Sequence, residues 1–215
     1  MIKAVLFDMD GTITDTEKYY CRSWHKAFNE FGYADFTYED ALGQRSLNRR
    51  DACAKWKAVY GDDLPYEDIR LRANELVEAC IAENGGVPVK PGIGEAIACL
   101  KARGIKTAVV TATEYQKASR RLSELGLFDL FDVVISAHMV ENGKPHPDVY
   151  VYACEQISEN PGDCIAVEDA PNGILSAYNA GCKVVMVPDL TKPDNELKKM
   201  LYMTIDSLNE MERLF

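Results

Sequence analysis

The stretch Ile2-Lys3-Ala4-Val5-Leu6-Phe7-Asp8-Met9-Asp10-Gly11-Thr12 decides the fold. Ile2 to Phe7 is a short apolar run of the kind that forms a strand buried on both faces. Two acids follow at once, and Gly11 permits a tight turn. In an open α/β sheet, ligands bind beyond the carboxyl ends of the strands. Asp8 and Asp10 stand at such an end, although acids beside a glycine also serve simply as turn formers.

Four more apolar runs occur downstream, at Ile105 to Val110, Val133 to Ile135, Cys164 to Val167 and Lys183 to Val187. Helical patterns separate them: Ile93 to Arg103, Glu114 to Leu125, a segment from Pro147 to about Ile157, and Asn172 to Ala180. Gly104, Gly126 and Gly181 suit helix C-termini. This alternation predicts βαβ units, hence an α/β fold with a doubly wound, mostly parallel sheet. Residues 15–84 break the pattern. Tyr20, Trp24, Ala27 or Phe28, and Phe31 share one helix face, with Thr14 and Glu17 at capping-box spacing before it. Leu47 to Tyr60 and a segment after Pro65 predict two further helices. The reading is an all-helical insertion, with residues 1–14 and 89–215 forming the core domain and residues 15–88 a cap domain able to close over a catalytic mouth.

Three further strand ends carry polar chemistry. Thr111-Ala112-Thr113 offers a hydroxyl that donates to a phosphate oxygen or caps a helix, Thr113 being a candidate for the cap. Gly143-Lys144-Pro145-His146-Pro147 holds a lysine in a stiffened loop. Glu168-Asp169 ends a strand, and Asp169 either caps the next helix or joins Asp8 and the Asp10 carbonyl in an oxygen-rich site suited to Mg²⁺. A parallel sheet sets its strand ends along one edge, so the four segments can meet. His25, His138 and His146 have no metal-ligand spacing. Arg45, Arg49 and Arg50 cluster in the insertion; Arg45, in a loop beside Gly43, is the one expected to touch substrate.

Composition bounds the remaining classes. With 215 residues, 47% of them apolar, and a net charge of −10, the chain is neither disordered nor marked as a nucleic-acid binder. No apolar run approaches a membrane span, and the N-terminal stretch lacks a small-residue cleavage site. Seven cysteines without a C-x-x-C pair read as buried free thiols, expected in a reducing cytoplasm.

Taken in order, the four segments resemble the four motifs of the haloacid dehalogenase superfamily. The insertion resembles that superfamily's first-type helical cap, and the likeness extends to Pro188-Asp189-Leu190. The nearest branch holds β-phosphoglucomutases and small sugar-phosphate phosphatases. The resemblance implies a Rossmann-like core in which Asp8 attacks phosphorus and Asp10 acts as acid and base. It implies Mg²⁺ held by Asp8, the Asp10 carbonyl, Asp169 and Glu168, the last directly or through water. Thr111, Ala112, Lys144, backbone N–H groups and Arg45 would hold the substrate, Ala112 lacking the polar side chain of many relatives. Two unit charges 4 Å apart at an effective dielectric of 20 interact by about 4 kcal/mol, so an anion attacking a phosphate needs such cations nearby.

An ordinary Asp is only ~0.1% protonated at pH 7, so the acid role implies an Asp10 desolvated under the closed cap. An acid at position 10 disfavours dehalogenases and phosphonatases. Tyr20 where mutases carry a histidine, and Ser46 where they carry an arginine, favour a phosphatase over a sugar-phosphate mutase. Receiver domains also unite acids, a hydroxyl and a lysine, but lack the insertion and this order of motifs. The expectation is a monomeric, Mg²⁺-dependent phosphatase of a small phosphorylated metabolite.

Overall fold

The computed structural model describes residues 1–215. Its sheet has six strands, β1 (Ala4–Phe7), β2 (Lys106–Thr111), β3 (Val133–Ser136), β4 (Cys164–Glu168), β5 (Lys183–Met186) and β6 (Leu201–Thr204). Their order is β3-β2-β1-β4-β5-β6, and every pairing is parallel. Parallel strands need covered faces. Period-two alternation sends Val5, Phe7, Val109, Ile165 and Val167 to one face. Leu6, Ala108, Val110, Ala166 and Met186 go to the other. Helices α5 (Ile93–Ala102) and α6 (Tyr115–Glu124) cover the first face. Helices α7 (Asp148–Gln156), α8 (Pro171–Asn179) and α9 (Asn195–Met200) cover the second.

Four helices lie between β1 and α5: α1 (Glu17–Glu30), α2 (Tyr38–Gly43), α3 (Arg49–Tyr60) and α4 (Tyr66–Glu83). They enclose their own apolar cluster, in which Phe28 stacks on Phe36 with ring centroids 3.8 Å apart and Trp56 meets Phe36 edge-on at 4.8 Å. The chain enters and leaves this unit side by side. Asp15 N–H donates to the Pro88 carbonyl, Lys90 N–H to that of Ile13, and Thr14 bridges Val89.

The structure corrects several expectations. Thr14 does not cap α1. Thr16 occupies the N-cap position without a side-chain cap, while the Thr14 hydroxyl donates to the Met9 carbonyl. A true capping box forms instead between Thr37 and Asp40 at the start of α2, a helix the periodicity missed. Glu114, not Thr113, is the N-cap of α6, and Ala170, not Asp169, that of α8. Strand β6 was also missed. Cys53, Cys80 and Cys99 are half-buried; Cys21, Cys154, Cys164 and Cys182 are buried.

Candidate active site

Register brings the site together. Phe7, the last residue of β1, lies opposite Val109 of β2 and Val167 of β4, so the three strands end within two residues of one another. Asp8 N–H continues the ladder by donating to the Val167 carbonyl. Thr111 and Glu168, the last residues of β2 and β4, and Asp8 and Asp169, the first residues past β1 and β4, therefore share one edge. This edge contains the point where the strand order reverses around β1, the usual ligand crevice of such sheets.

Lys144 is fully buried and aimed at that point. Its Nζ donates to Asp8 Oδ1 at 2.5 Å, Glu168 Oε1 at 2.6 Å and the Val110 carbonyl at 3.0 Å. All three of its donors are thereby used. Tyr150 on α7 also donates to Glu168 Oε1. Carboxylate oxygens of Asp8, Glu168 and Asp169 lie within 4.8 Å of one another. Two glycines make this crowding possible. Gly11 adopts φ +98°, and a Cβ there would stand 2.5 Å from Asp169 Oδ2. A Cβ on Gly173, in the first turn of α8, would stand 2.1 Å from Glu168 Oε2.

Electrostatics show what the cluster lacks. Burial pushes the Asp8 carboxyl well above its ordinary range; Lys144 opposes this, and Glu168 and Asp169 add to it. Burial likewise pushes Asp169 up to about 7, against the pull of Arg45. Burial works against the charge of Lys144, but Asp8 and Glu168 outweigh it and its pKa rises. Asp169 Oδ1 and Glu168 Oε2 are buried and accept no hydrogen bond. Buried orphaned carboxylate oxygens are costly unless a cation answers them. An all-oxygen, carboxylate-rich donor set suits a hard divalent cation. The Asp10 carbonyl is also left without a protein donor.

Asp10 itself stands apart from the cluster. Its Oδ1 accepts from the Thr16 hydroxyl at 2.6 Å, its Oδ2 from the Thr113 hydroxyl at 2.8 Å, and Arg121 Nη1 approaches Oδ1 at 3.4 Å. The carboxyl is buried, with hydroxyls and a guanidinium around it. Arg45 reaches in from the loop after α2. Its Nη1 donates to Asp169 Oδ2 at 2.8 Å, and its Nη2 donates to the Thr191 hydroxyl. Arg45 is almost wholly buried, although it borders the cavity. Arg49 pairs with Glu67. Arg50 lies on the exposed side against Asn142.

A cavity of about 360 Å³ opens between the helical insertion and the sheet edge. Asp8, Asp10, Thr111, Ala112 and Arg45 border it, together with Glu17, Tyr20, Gln44 and Asn74. Lys144, Glu168 and Asp169 lie beneath its floor with no exposed surface. Sequence reasoning missed Thr113 as a partner of Asp10, Tyr150 and Arg121, and placed Glu17 only in a capping box. Glu17 is buried and accepts no protein hydrogen bond; burial and the charge of Asp169 push its carboxyl well above its ordinary range, with Arg45 opposing. Glu17 caps nothing; it lies in the first turn of α1 and borders the cavity.

Sequence comparison agrees with this geometry. The sequence profile of haloacid dehalogenase-like hydrolases matches residues 2–181. The chain belongs to this family. Hexitol phosphatase A of Escherichia coli K12 is 33% identical over 208 residues, covering 93% of this chain and 90% of that protein. Beta-phosphoglucomutase of Bacillus subtilis 168 is 28% identical over 193 residues, covering 86% and 83%. The crystal structure of CbbY from Rhodobacter sphaeroides in complex with phosphate superposes with a TM-score of 0.80 at 29% identity, covering 98% and 96%. The chain is thus a haloacid dehalogenase-like phosphoric monoester hydrolase. Its α/β core with a helical cap is the architecture of these relatives.

Proposed function

We propose that this hydrolase releases phosphate from a small phosphorylated polyol or sugar through an aspartyl-phosphate on Asp8, with Mg²⁺ as its cation. The observation that carries this reading is the meeting of Asp8, Lys144, Glu168 and Asp169 beneath a cavity that Asp8 borders, with two carboxylate oxygens left unanswered. Asp8, Asp169, the Asp10 carbonyl and Glu168 would hold the cation, which supplies charge neutralisation between the nucleophile and the phosphate.

The residues of the chain divide the rest of the work. Lys144 fixes Asp8 in place by a direct hydrogen bond and adds positive charge beside it. An Asp8 oxygen attacks phosphorus, and the bond from phosphorus to the leaving alkoxide breaks. Asp10 supplies the proton that the alkoxide needs. A water molecule then attacks the same phosphorus, Asp10 takes its proton, and the bond to Asp8 breaks to release phosphate. The Thr111 hydroxyl, which accepts from the Thr113 N–H and keeps its own proton to donate, and the N–H of Ala112 hold phosphoryl oxygens. Positioning and electrostatics suffice here, as in phosphoryl transfer generally.

The cavity supports a polyhydroxylated substrate. About 360 Å³ accommodates a small metabolite. Asn74 offers an amide, Gln44 an unpartnered amide nitrogen (its oxygen accepts from Trp56 Nε1), and Glu17 a carboxyl with no protein partner, a set able to pair with several hydroxyls. The hexitol phosphatase among the relatives points the same way. Residues 15–88 serve in this reading as the cap that excludes water during the first step.

Phosphate release across a panel of sugar, polyol, nucleotide and glycolate phosphates, with and without Mg²⁺, tests the proposal. Expected are Mg²⁺-dependent release from a sugar or polyol phosphate and loss of activity on chelation. A positional isomer formed in place of free phosphate would show the mutase chemistry of the β-phosphoglucomutase relative instead.

A further inference from the structure

Arg121 on α6 has the largest side chain in the molecule that is fully buried, and no step above uses it. Its neighbours Ala118 and Leu122 explain why that face of α6 is buried, but not why an arginine is. The guanidinium spans two parts of the chain. On the sheet side, Nη1 lies 3.4 Å from Asp10 Oδ1. On the insertion side, Nη1 also donates to the Tyr20 hydroxyl of α1 at 2.9 Å, and Nη2 donates to Glu78 Oε1 of α4 at 2.8 Å. Lys117, one turn earlier on α6, at 2.9 Å, and the adjacent Arg120, at 3.5 Å, grip the same Glu78. Three cations of one core helix thus converge on one acid of the helical insertion.

A buried guanidinium is tolerated only where its partners are in place. Those partners come from both sides of the cavity. We infer that Arg121 is a positioning residue. It fixes the Asp10 carboxyl for proton transfer, and it does so only while Glu78 and Tyr20 hold its other edges. Docking of the helical insertion is thereby linked to the pose of the acid/base group. Thr16 and Thr113 each hold one carboxyl oxygen, and Arg121 adds a second contact to the oxygen that Thr16 holds. The inference rests on the acid/base role proposed above for Asp10.

Leaving-group chemistry tests it. A p-nitrophenolate departs without a proton, whereas an alkoxide requires one. The parent, Arg121→Met, Arg121→Lys, Glu78→Gln and the Arg121→Met/Glu78→Gln double variant are assayed on p-nitrophenyl phosphate and on the best alkyl phosphate of the panel. For Arg121→Met, kcat/KM is expected to fall ~10- to 100-fold on the alkyl ester, the scale of a misplaced acid/base group, and several-fold less on the aryl ester. Arg121→Lys should recover part of that loss. Glu78→Gln should show the same leaving-group bias at smaller size, and the double variant should be no worse than Arg121→Met alone, because Glu78 acts through Arg121.

Equal losses on both esters, or additive losses in the double variant, would overturn the inference. If Arg121→Met does not fold, Glu78→Gln decides alone, since this acid is part-exposed; an unchanged alkyl-to-aryl ratio in that variant overturns the link. A parent that hydrolyses neither ester overturns the phosphatase reading itself, an outcome distinct from a parent that turns over while its variants show no bias.

Discussion

Asp8, Glu168 and Asp169 lie close together with only Lys144 and Arg45 as direct cationic partners. In the proposed Mg²⁺ site their protonation therefore governs cation binding. Asp169 is pushed up to about 7 by burial, whereas its ordinary value is 3.8. The cation needs the carboxylate, so below pH 7 a proton competes with it. Through Asp169 alone, apparent Mg²⁺ affinity is expected to rise about tenfold per pH unit up to about pH 7, and the raised Asp8 steepens that rise. In the absence of cation the sign for stability is opposite. A carboxyl with a raised folded-state pKa binds more protons folded than unfolded, so stability falls as pH rises from about 4 to about 7. Thermal melts across that range in chelator and in Mg²⁺ should diverge increasingly with pH, and parallel curves would remove Asp169 from the cation site. Sequence alone supplied these acids because each follows an apolar run. Arg121 was not legible: on an otherwise polar amphipathic helix an arginine reads as surface, and only tertiary packing reveals its burial.

At the scale of elements, the register of β1 against β2 and β4 sets the site, and α8 shapes its floor. Glu168 lies over the first turn of α8 because position 173 has no Cβ. Gly173→Ala should push Glu168 off Lys144 and Tyr150, weakening Mg²⁺ binding at least about tenfold and destabilising the fold by about 1–3 kcal/mol, as overpacking does. Calorimetric titration and a melting curve check both, and unchanged affinity would show that Glu168 has no part in holding the cation. Five strands were legible because each has a central run of apolar residues buried on both faces. Strand β6 was not, since Leu201 to Thr204 alternates between half-buried and exposed at the sheet edge. Helix α2 spans only six residues, too few for periodicity to register. The Thr14 misreading has a physical cause as well: its hydroxyl is occupied by Met9 and Thr16 in the turn below the insertion, leaving none for α1.

Over the whole molecule, a cap domain of residues 15–88 is the proposal that gives Arg45 and Glu78 their purpose, since both cross to the sheet side. The aromatic cluster around Phe28, Phe36 and Trp56 lies within this unit, apart from the two clusters that flank the sheet. Phe36→Ala is expected to cost about 3–5 kcal/mol there. Hydrogen exchange should then quicken across α1 to α4 while β1, β2 and β4 stay protected; uniform loss of protection would argue for a single cooperative unit. Every one of these roles presupposes that Asp8 carries the phosphoryl group. The direct measurement is acid quenching during turnover of a ³²P-labelled sugar phosphate with Mg²⁺, followed by peptide mapping. Label on the peptide containing Asp8 is expected, with none in Asp8→Asn, which should lose at least about 10³-fold in kcat while keeping its fold. Turnover without label on that peptide, or activity retained in Asp8→Asn, would contradict the mechanism.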